Sequence, residues 1–329
     1  MIKKKLLRDQ FLKFLPQIFF IKSFYSFYFF VFYELILYYK LNIFLLIKNY
    51  KKNILDLKKL KFISSRSIFN TFVNSFYQDK YYNFNKTKII YISAEFLKYF
   101  INKKLHNIYY KFVIIVGNSD EPVNLKKKQI NKLIKNKLFL KLFAQNLCIS
   151  HKKFIHIPIG VDFHTQFYLD KFGKNKIFPS DVEKKFIEIK KRKKKQTFKV
   201  YCDFQFNLNK ARSECFREIP KKISYFAPNR LSQFNTWKKI KKFKFIACPQ
   251  GNGLDTHRVW ESILLGCIPI VKSGPLDKLY KQFPIIIIKK WSEINSISLK
   301  KKYYLIKKKK YKFKLLKNNY WIDKISNIE

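Results

Sequence analysis

Three residues of this 329-residue chain have the types and spacing to act together on a charged ligand: His257, Arg258 and Glu261. On a helix, His257 and Glu261 are four apart and Arg258 and Glu261 three apart, so each pair is adjacent on the surface. Two cation-capable residues in a first helical turn are disfavoured by the helix dipole, and an anion at that N-terminus reverses the penalty. A nucleotide diphosphate is the natural candidate, held by backbone N–H groups and the Arg258 guanidinium. Glu261, one turn further in, is then placed to accept hydrogen bonds from ribose hydroxyls. The plainer alternative is an intrahelical Arg258–Glu261 ion pair worth about 0.2–0.5 kcal/mol.

The surrounding window, ACPQGNGLDTHRVWESILLGCIPIV from Ala247 to Val271, supplies the elements that must position them. Extended to Pro275, it holds nine of the 29 Gly, Ala, Arg and Pro residues but only one of 63 Lys, Lys272, so it stands apart from a chain otherwise rich in Lys, Ile, Phe, Tyr and Asn. It reads strand, loop, helix, strand. Pro249 ends the first strand, and Gly251, Asn252 and Gly253 form a tight loop with exposed backbone N–H groups. Asp255 or Thr256 caps a helix from about His257 to Leu265, and both are also candidates, with the Gly251–Gly253 loop and His257, to hold the anionic donor. Trp260, Ile263, Leu264 and Cys267 follow at i, i+3, i+4 and i+7 as its buried face. Arg212 and Arg230, two of only seven Arg, lie in the same half, and Lys272 lies just past the next strand; each is a candidate for phosphate. The loop GNGLDT carries two of the glycines of GxGxxG but lacks the third small residue and comes late in the chain, which argues against a dinucleotide fold.

Further strands are expected at 88–93, 112–116, 154–157, 198–206, 223–226, 243–248, 268–271 and 285–288. Helices are expected at 138–147 and around 211–218. Strands alternating with helices imply parallel α/β architecture. The basic run VEKKFIEIKKRKKKQ, 182–196, reads as a solvated helix or connection between two halves that face a cleft.

The formal charge of +49 favours anionic partners, yet the excess is nearly all lysine and scattered, which fits solvated positions and argues against nucleic acid as a partner. None of the five Cys is spaced as CxxC, no zinc pattern is complete, and buried free thiols are expected, with no metal site. The aromatic segment Ser23–Tyr39, within residues 17–47, is a possible membrane anchor. It is only 17 residues long, and Glu34 interrupts it, favouring a buried element and a cytoplasmic protein over a type II secretory-membrane one.

The stretch PQGNGLDTHRVWESILLGCIPIVKSGPLDKLY, with WSEI at 291–294, resembles the C-terminal signature of exostosin-like glycosyltransferases: an Arg-x-x-Glu helix followed by Gly-Cys-Ile-Pro and a strand. GNSDEPVN (117–124), FAQN (143–146) and IPIGVDFHT (157–165) are similar to further parts of that group. The resemblance implies a GT-B-like α/β fold of two Rossmann-like domains facing a central cleft, and transfer from a nucleotide-sugar, UDP-sugar favoured, without an obligatory metal or tightly bound cofactor. It divides the chain into an N-terminal segment (1–50), an acceptor-side domain (51–180) and a donor-binding domain (197–329). Arg258 would contact the diphosphate and Glu261 the ribose; Gly266, Cys267, Ile268 and Pro269 would shape the next turn. The acceptor would be a hydroxyl of a glycan or protein. For an inverting transfer the base would be a carboxylate of the first half: Asp120, or else Glu121, in the loop after a buried strand. Ordinary turn chemistry before Pro122 is the alternative for both. Asp162 and His164 read as a surface loop. The rival class is a basic nucleic-acid or polyanion-binding protein on a degenerate, inactive transferase fold.

Overall fold

The computed structural model describes residues 56–57, 59–72, 88–169, 177–205 and 209–328. All of them fall within one compact unit, residues 53–329. The possible anchor at 17–47 lies outside the described residues. Among the described residues no helix is long and apolar enough to cross a membrane.

The chain builds two parallel sheets. The first comprises β1 (Ile89–Ile92), β2 (Phe112–Val116), β3 (Phe139–Ala144) and β4 (Phe154–His156), in the order β1-β2-β3-β4. Every residue of β2 is buried, because β1 and β3 pair with it on either side and cores cover both faces. Phe112, Ile114 and Val116 enter one core with residues of α2 (Ala94–Lys103) and α3 (Lys127–Lys135). Val113 and Ile115 enter the other, with Ile68 of α1 (Ser65–Thr71) and Trp321 of the last helix.

The segment 138–147, expected as a helix, contains strand β3 instead. Its apolar residues divide between faces: Leu142 and Ala144 meet the α2–α3 core, while Phe143 meets Trp321 at 6.5 Å between ring centroids. With β2 and β4 on its two edges, this strand carries apolar residues on both faces, and that run mimics helical spacing.

Helix α4 (Thr165–Leu169) leads to α5 (Pro179–Lys191), the basic run, which does form a helix. It begins with Pro179 at its first position, ends in Lys190 and Lys191, and buries Val182, Phe186 and Ile189. Its Glu183 carboxylate accepts from the Lys61 and Phe62 N–H groups at 3.0 and 2.9 Å, fastening α5 to the segment before α1.

The second sheet comprises β5 (Thr197–Cys202), β6 (Ser224–Phe226), β7 (Phe243–Ala247), β8 (Ile268–Lys272) and β9 (Ile286–Ile288), in the order β6-β5-β7-β8-β9. Helix α6 (Lys210–Glu218) crosses one face, packing Cys215 against Val200 and Phe245, while α7 (Gln233–Ile240) and α8 (His257–Leu264) cover the other with Trp237, Val259 and Trp260. A short α9 (Asp277–Tyr280) joins β8 to β9, and α10 (Ser296–Lys307) packs on the α6 side. The last helix, α11 (Asn318–Ser326), returns to the first half, where Asn318 Oδ1 accepts from Ser67 Oγ of α1 at 2.8 Å. One apolar cluster runs without interruption from Leu57 through Trp237 and Trp260 to Ile325, so the two halves share a core. The protein is therefore a mixed α/β fold with two parallel, helix-covered sheets.

Candidate functional site

Within the second half, counting strands from β5, the spatial order is 2-1-3-4-5. Crossovers leave β5 and reach β7 on opposite faces of the sheet, so the loops after these two strands diverge and open a crevice at their carboxyl ends. The crevice is where the chemistry-bearing residues of this half collect.

After β5 comes Asp203, whose Oδ2 accepts from Tyr201 OH at 3.0 Å. Asn209 then caps α6, its Oδ1 accepting from Arg212 N–H at 3.0 Å, while its Nδ2 donates to Gly251 O at 2.7 Å. Arg212, in the first turn of α6, donates from Nε to Gln250 O at 3.3 Å and so lies against the loop after β7. A Cβ on Gly251 would meet Arg212 Nη2 at 3.2 Å, so the guanidinium passes close to this glycine.

Arg258, in the first turn of α8, stands between two carboxylates. Its Nη1 is 3.7 Å from Asp203 Oδ2 and its Nε 3.9 Å from Glu261 Oε2. Both separations exceed hydrogen-bond length, and the buried Nη1 makes no hydrogen bond, so the charge is balanced while donor capacity is left over. Glu261 is almost wholly buried, and burial pushes its carboxyl above the usual range despite the pull of Arg258 and His257. Burial, and then the charge of Arg258, lowers the Arg212 pKa, so the two guanidiniums stand within electrostatic reach of each other. Two repelling cations at the mouth of an α/β crevice, with unspent N–H donors, are an arrangement that an anion relieves.

The loop from Gln250 to Thr256 joins this crevice to the first half. Gly253 is buried, and a Cβ there would meet Asn146 Nδ2 and Asp120 O at 3.2 Å and Asp120 Oδ1 at 3.3 Å. Asp120 thus sits on the rim, directly across from the loop. Asn146, in the left-handed backbone region at φ 49°, donates to Ser119 O at 3.2 Å and accepts from Asp255 N–H at 2.9 Å. Asn252 is exposed at the tip.

Asp255, expected at the donor, is occupied by the fold. Its carboxylate accepts from Ile159 N–H at 3.0 Å, Thr256 N–H at 3.0 Å, Trp260 Nε1 at 2.9 Å and Tyr280 OH at 3.1 Å. Full burial, opposed by those bonds, raises its pKa to about 6. Thr256 takes the N-cap position of α8, but its hydroxyl makes no cap bond. The expected caps therefore act differently: Thr256 by backbone geometry and Asp255 as a buried clamp.

The structure also brings into this region two residues that read as a surface loop. Asp162 and His164 follow β4, with His164 Nδ1 3.2 Å from Asp162 Oδ1 and the His164 ring 5.8 Å from that of His257. His257 donates from Nδ1 to Gly160 O at 2.7 Å, the carbonyl fixing that nitrogen as the protonated one. Burial pushes Asp162 up, but His257, His164 and Thr165 more than offset it, and the carboxyl ends below its ordinary range. Burial lowers His164, which is accordingly neutral near pH 7. The signal in the sequence was position: IPIGVDFHT follows a buried strand on the same side as GNSDEPVN, the strand end where α/β sites open.

Three expected residues lie elsewhere. Lys272 pairs with Glu214 of α6 and so holds the helix to the sheet. Arg230 is exposed in the loop after β6. Glu121 is turned towards α2, where with Glu95 and Lys98 it lines a groove of about 300 Å³. Among the described residues no cluster of three His, Cys, Asp or Glu side chains could hold a metal ion. Cys202, Cys215, Cys248 and Cys267 are buried free thiols, and Cys148 is a partly buried one. No family model and no curated protein matches this chain.

Proposed function

We propose that this protein is an exostosin-like, GT-B-type glycosyltransferase that moves a sugar from a UDP-sugar to a hydroxyl acceptor on a glycan or protein. The observation that carries the reading is the Arg212–Arg258 pair at the β5/β7 crevice, two cations with spare donors at the first turns of two helices. A diphosphate would accept from the donors that the guanidiniums leave unused, and as the leaving group it gains charge in the transition state, where fixed cations count most. Glu261 is one helical turn deeper and beside Arg258, suited to a ribose hydroxyl. Asp120, across from Gly253, is the carboxylate assigned to accept the proton of the acceptor hydroxyl. No step requires a tightly bound cofactor.

The test is thermal stabilisation by a panel of UDP- and GDP-sugars, followed by turnover of the donor that binds. A ligand at a hundred times its Kd raises stability by about 2.7 kcal/mol. Arg258→Ala and Glu261→Ala are expected to abolish both stabilisation and turnover while the apo protein stays folded. Undiminished turnover in either variant would sink the assignment.

A further inference from the structure

Helix α10 has one apolar face and, opposite it, a face of mixed apolar and basic residues. Leu299, Tyr303 and Ile306, at i, i+4 and i+7, lie against the core formed with β5 and β7, and Tyr303 stacks edge-on to Phe245 and Phe198. The opposite stripe reads Ile297, Lys300, Lys301, Tyr304, Leu305 and Lys308, spaced i, i+3, i+4, i+7, i+8 and i+11. On it Ile297 is 81% exposed, Tyr304 65% and Leu305 52%. A helix docked by one face ordinarily turns polar residues to water, so an aliphatic outer stripe asks for a covering partner.

The charge around that stripe says which partner. Residues 300–314 hold nine lysines in fifteen positions, against about one in five over the whole chain, and no Asp or Glu occurs between Ile294 and Ile322. Eight of the nine lysines are exposed, and Phe313, in the turn after the helix, is 51% exposed. The basic run 182–196 also holds seven lysines, but there Val182, Phe186 and Ile189 are buried, whereas here the lysines surround exposed Ile, Leu, Tyr and Phe. Nucleic acid would use the charge but gains nothing from Ile297 and Leu305, whereas an anionic bilayer uses both. Tyrosine suits the headgroup layer, and lysine stems reach past buried aliphatics to lipid phosphates.

We propose that the outer face of α10, with the lysine-rich segment to residue 314, is a docking surface for an anionic lipid bilayer. It would hold the protein at a membrane surface without spanning it, independently of any donor chemistry. Each lysine near such a surface contributes about fivefold in partitioning.

The experiment is flotation of the full chain with vesicles of phosphatidylcholine alone or with 30% phosphatidylserine, at about 0.15 M salt. One variant carries Lys300→Gln, Lys301→Gln and Lys308→Gln; the other carries Ile297→Ser and Leu305→Ser. All five positions are exposed, so both variants are expected to keep the wild-type melting midpoint and nucleotide response. The proposal expects wild-type binding to require phosphatidylserine and to fall at least tenfold in each variant. Wild-type-like flotation of both variants overturns it, placing any membrane contact elsewhere in the chain. It is equally overturned if the aliphatic variant binds normally while the lysine variant loses binding to vesicles and to duplex RNA alike, since the face is then a nonspecific polyanion surface.

Discussion

The Asp255 carboxylate of the second half accepts the Ile159 N–H of the first at 3.0 Å, deep in the protein. The same carboxylate takes Trp260 and Tyr280, so one buried group sets the loop before α8, the packing of that helix and the seam between the halves. All four partners are donors. Asp255→Asn keeps the shape but aims an NH2 group at them, leaving one or more buried donors unpaired, at about 1–3 kcal/mol each. The pH dependence has a definite sign. The folded carboxyl holds its proton up to about pH 6, the unfolded one releases it near 3.8, and the group therefore favours folding most below pH 4. That contribution falls by roughly 3 kcal/mol as pH rises through 6. Denaturant melts of wild type and Asp255→Asn are expected to differ most at pH 4 and to converge towards pH 7. A gap that widens with pH would contradict the raised carboxyl.

Arg212 and Arg258 should separate stability from binding. Their mutual repulsion in the unliganded protein is unrelieved beyond the loose contacts of Arg258 with Asp203 and Glu261. Arg212→Gln removes one cation and one long hydrogen bond to Gln250. The apo melting midpoint is expected to stay or rise, while UDP-sugar affinity falls at least tenfold, by the loss of a charge-assisted contact worth about 1.5–3 kcal/mol. Arg258→Lys keeps the charge but loses the planar fork, and is expected to bind more weakly than wild type and more strongly than Arg258→Ala. A lowered midpoint with intact affinity would assign Arg212 to scaffold.

The glycines of the two seams differ in what they allow. At Gly160, φ is +73° and a Cβ would lie 2.0 Å from Ile63 O, so Gly160→Ala meets both backbone strain and a backbone clash. A loss of about 3 kcal/mol or more is expected in a melt. Gly253 has no such strain; its added methyl would press Asn146 and Asp120 by a few tenths of an ångström. Gly253→Ala is therefore expected to cost about 1 kcal/mol of stability and to cut transfer more than donor binding, by displacing Asp120. Equal stability losses in the two variants would count against this distinction.

Much of this frame was legible because the second half follows local rules. Pro249, Gly251 and Gly253 break the chain where β7 ends, and the apolar period from Trp260 to Cys267 sets α8. Strand β3 was not legible: a strand covered on both faces loses alternation, and Leu138, Leu142 and Phe143 then imitate a helix. In the candidate site, the proximity of Arg258 and Glu261 was legible because both share one helix. Asp203, Asn209 and Asn146 were not, since their roles arise from loops that meet only after both sheets form. Asp255 misled for a related reason. A carboxylate beside a glycine loop reads as a ligand contact, and only the arrival of Ile159 and Tyr280 makes it a clamp.

For the proposed transfer, the proton acceptor is assigned by how Asp120, Glu121 and Asp162, the last of which the structure brings towards this region, are engaged. Asp162 already accepts from Thr165 N–H at 3.0 Å and contacts His164, and those groups hold it ionised, so it is a poor proton acceptor in its setting. Glu121 lines the α2 groove with Glu95 and Lys98. Asp120 alone combines exposure with contact to the donor-side loop. Asp120→Asn is expected to lower transfer by about 10²–10⁴ with donor affinity preserved. Glu121→Gln should leave transfer within about threefold, since a side chain that never reaches the reacting oxygen adds nothing to its deprotonation. Asp162→Asn frees His164 from its carboxylate and is expected to weaken donor binding and stability together rather than abolish turnover. Single-turnover rates beside donor titrations for the three variants decide it, and a rate collapse confined to Asp162→Asn would move the base from the loop after β2 to the loop after β4.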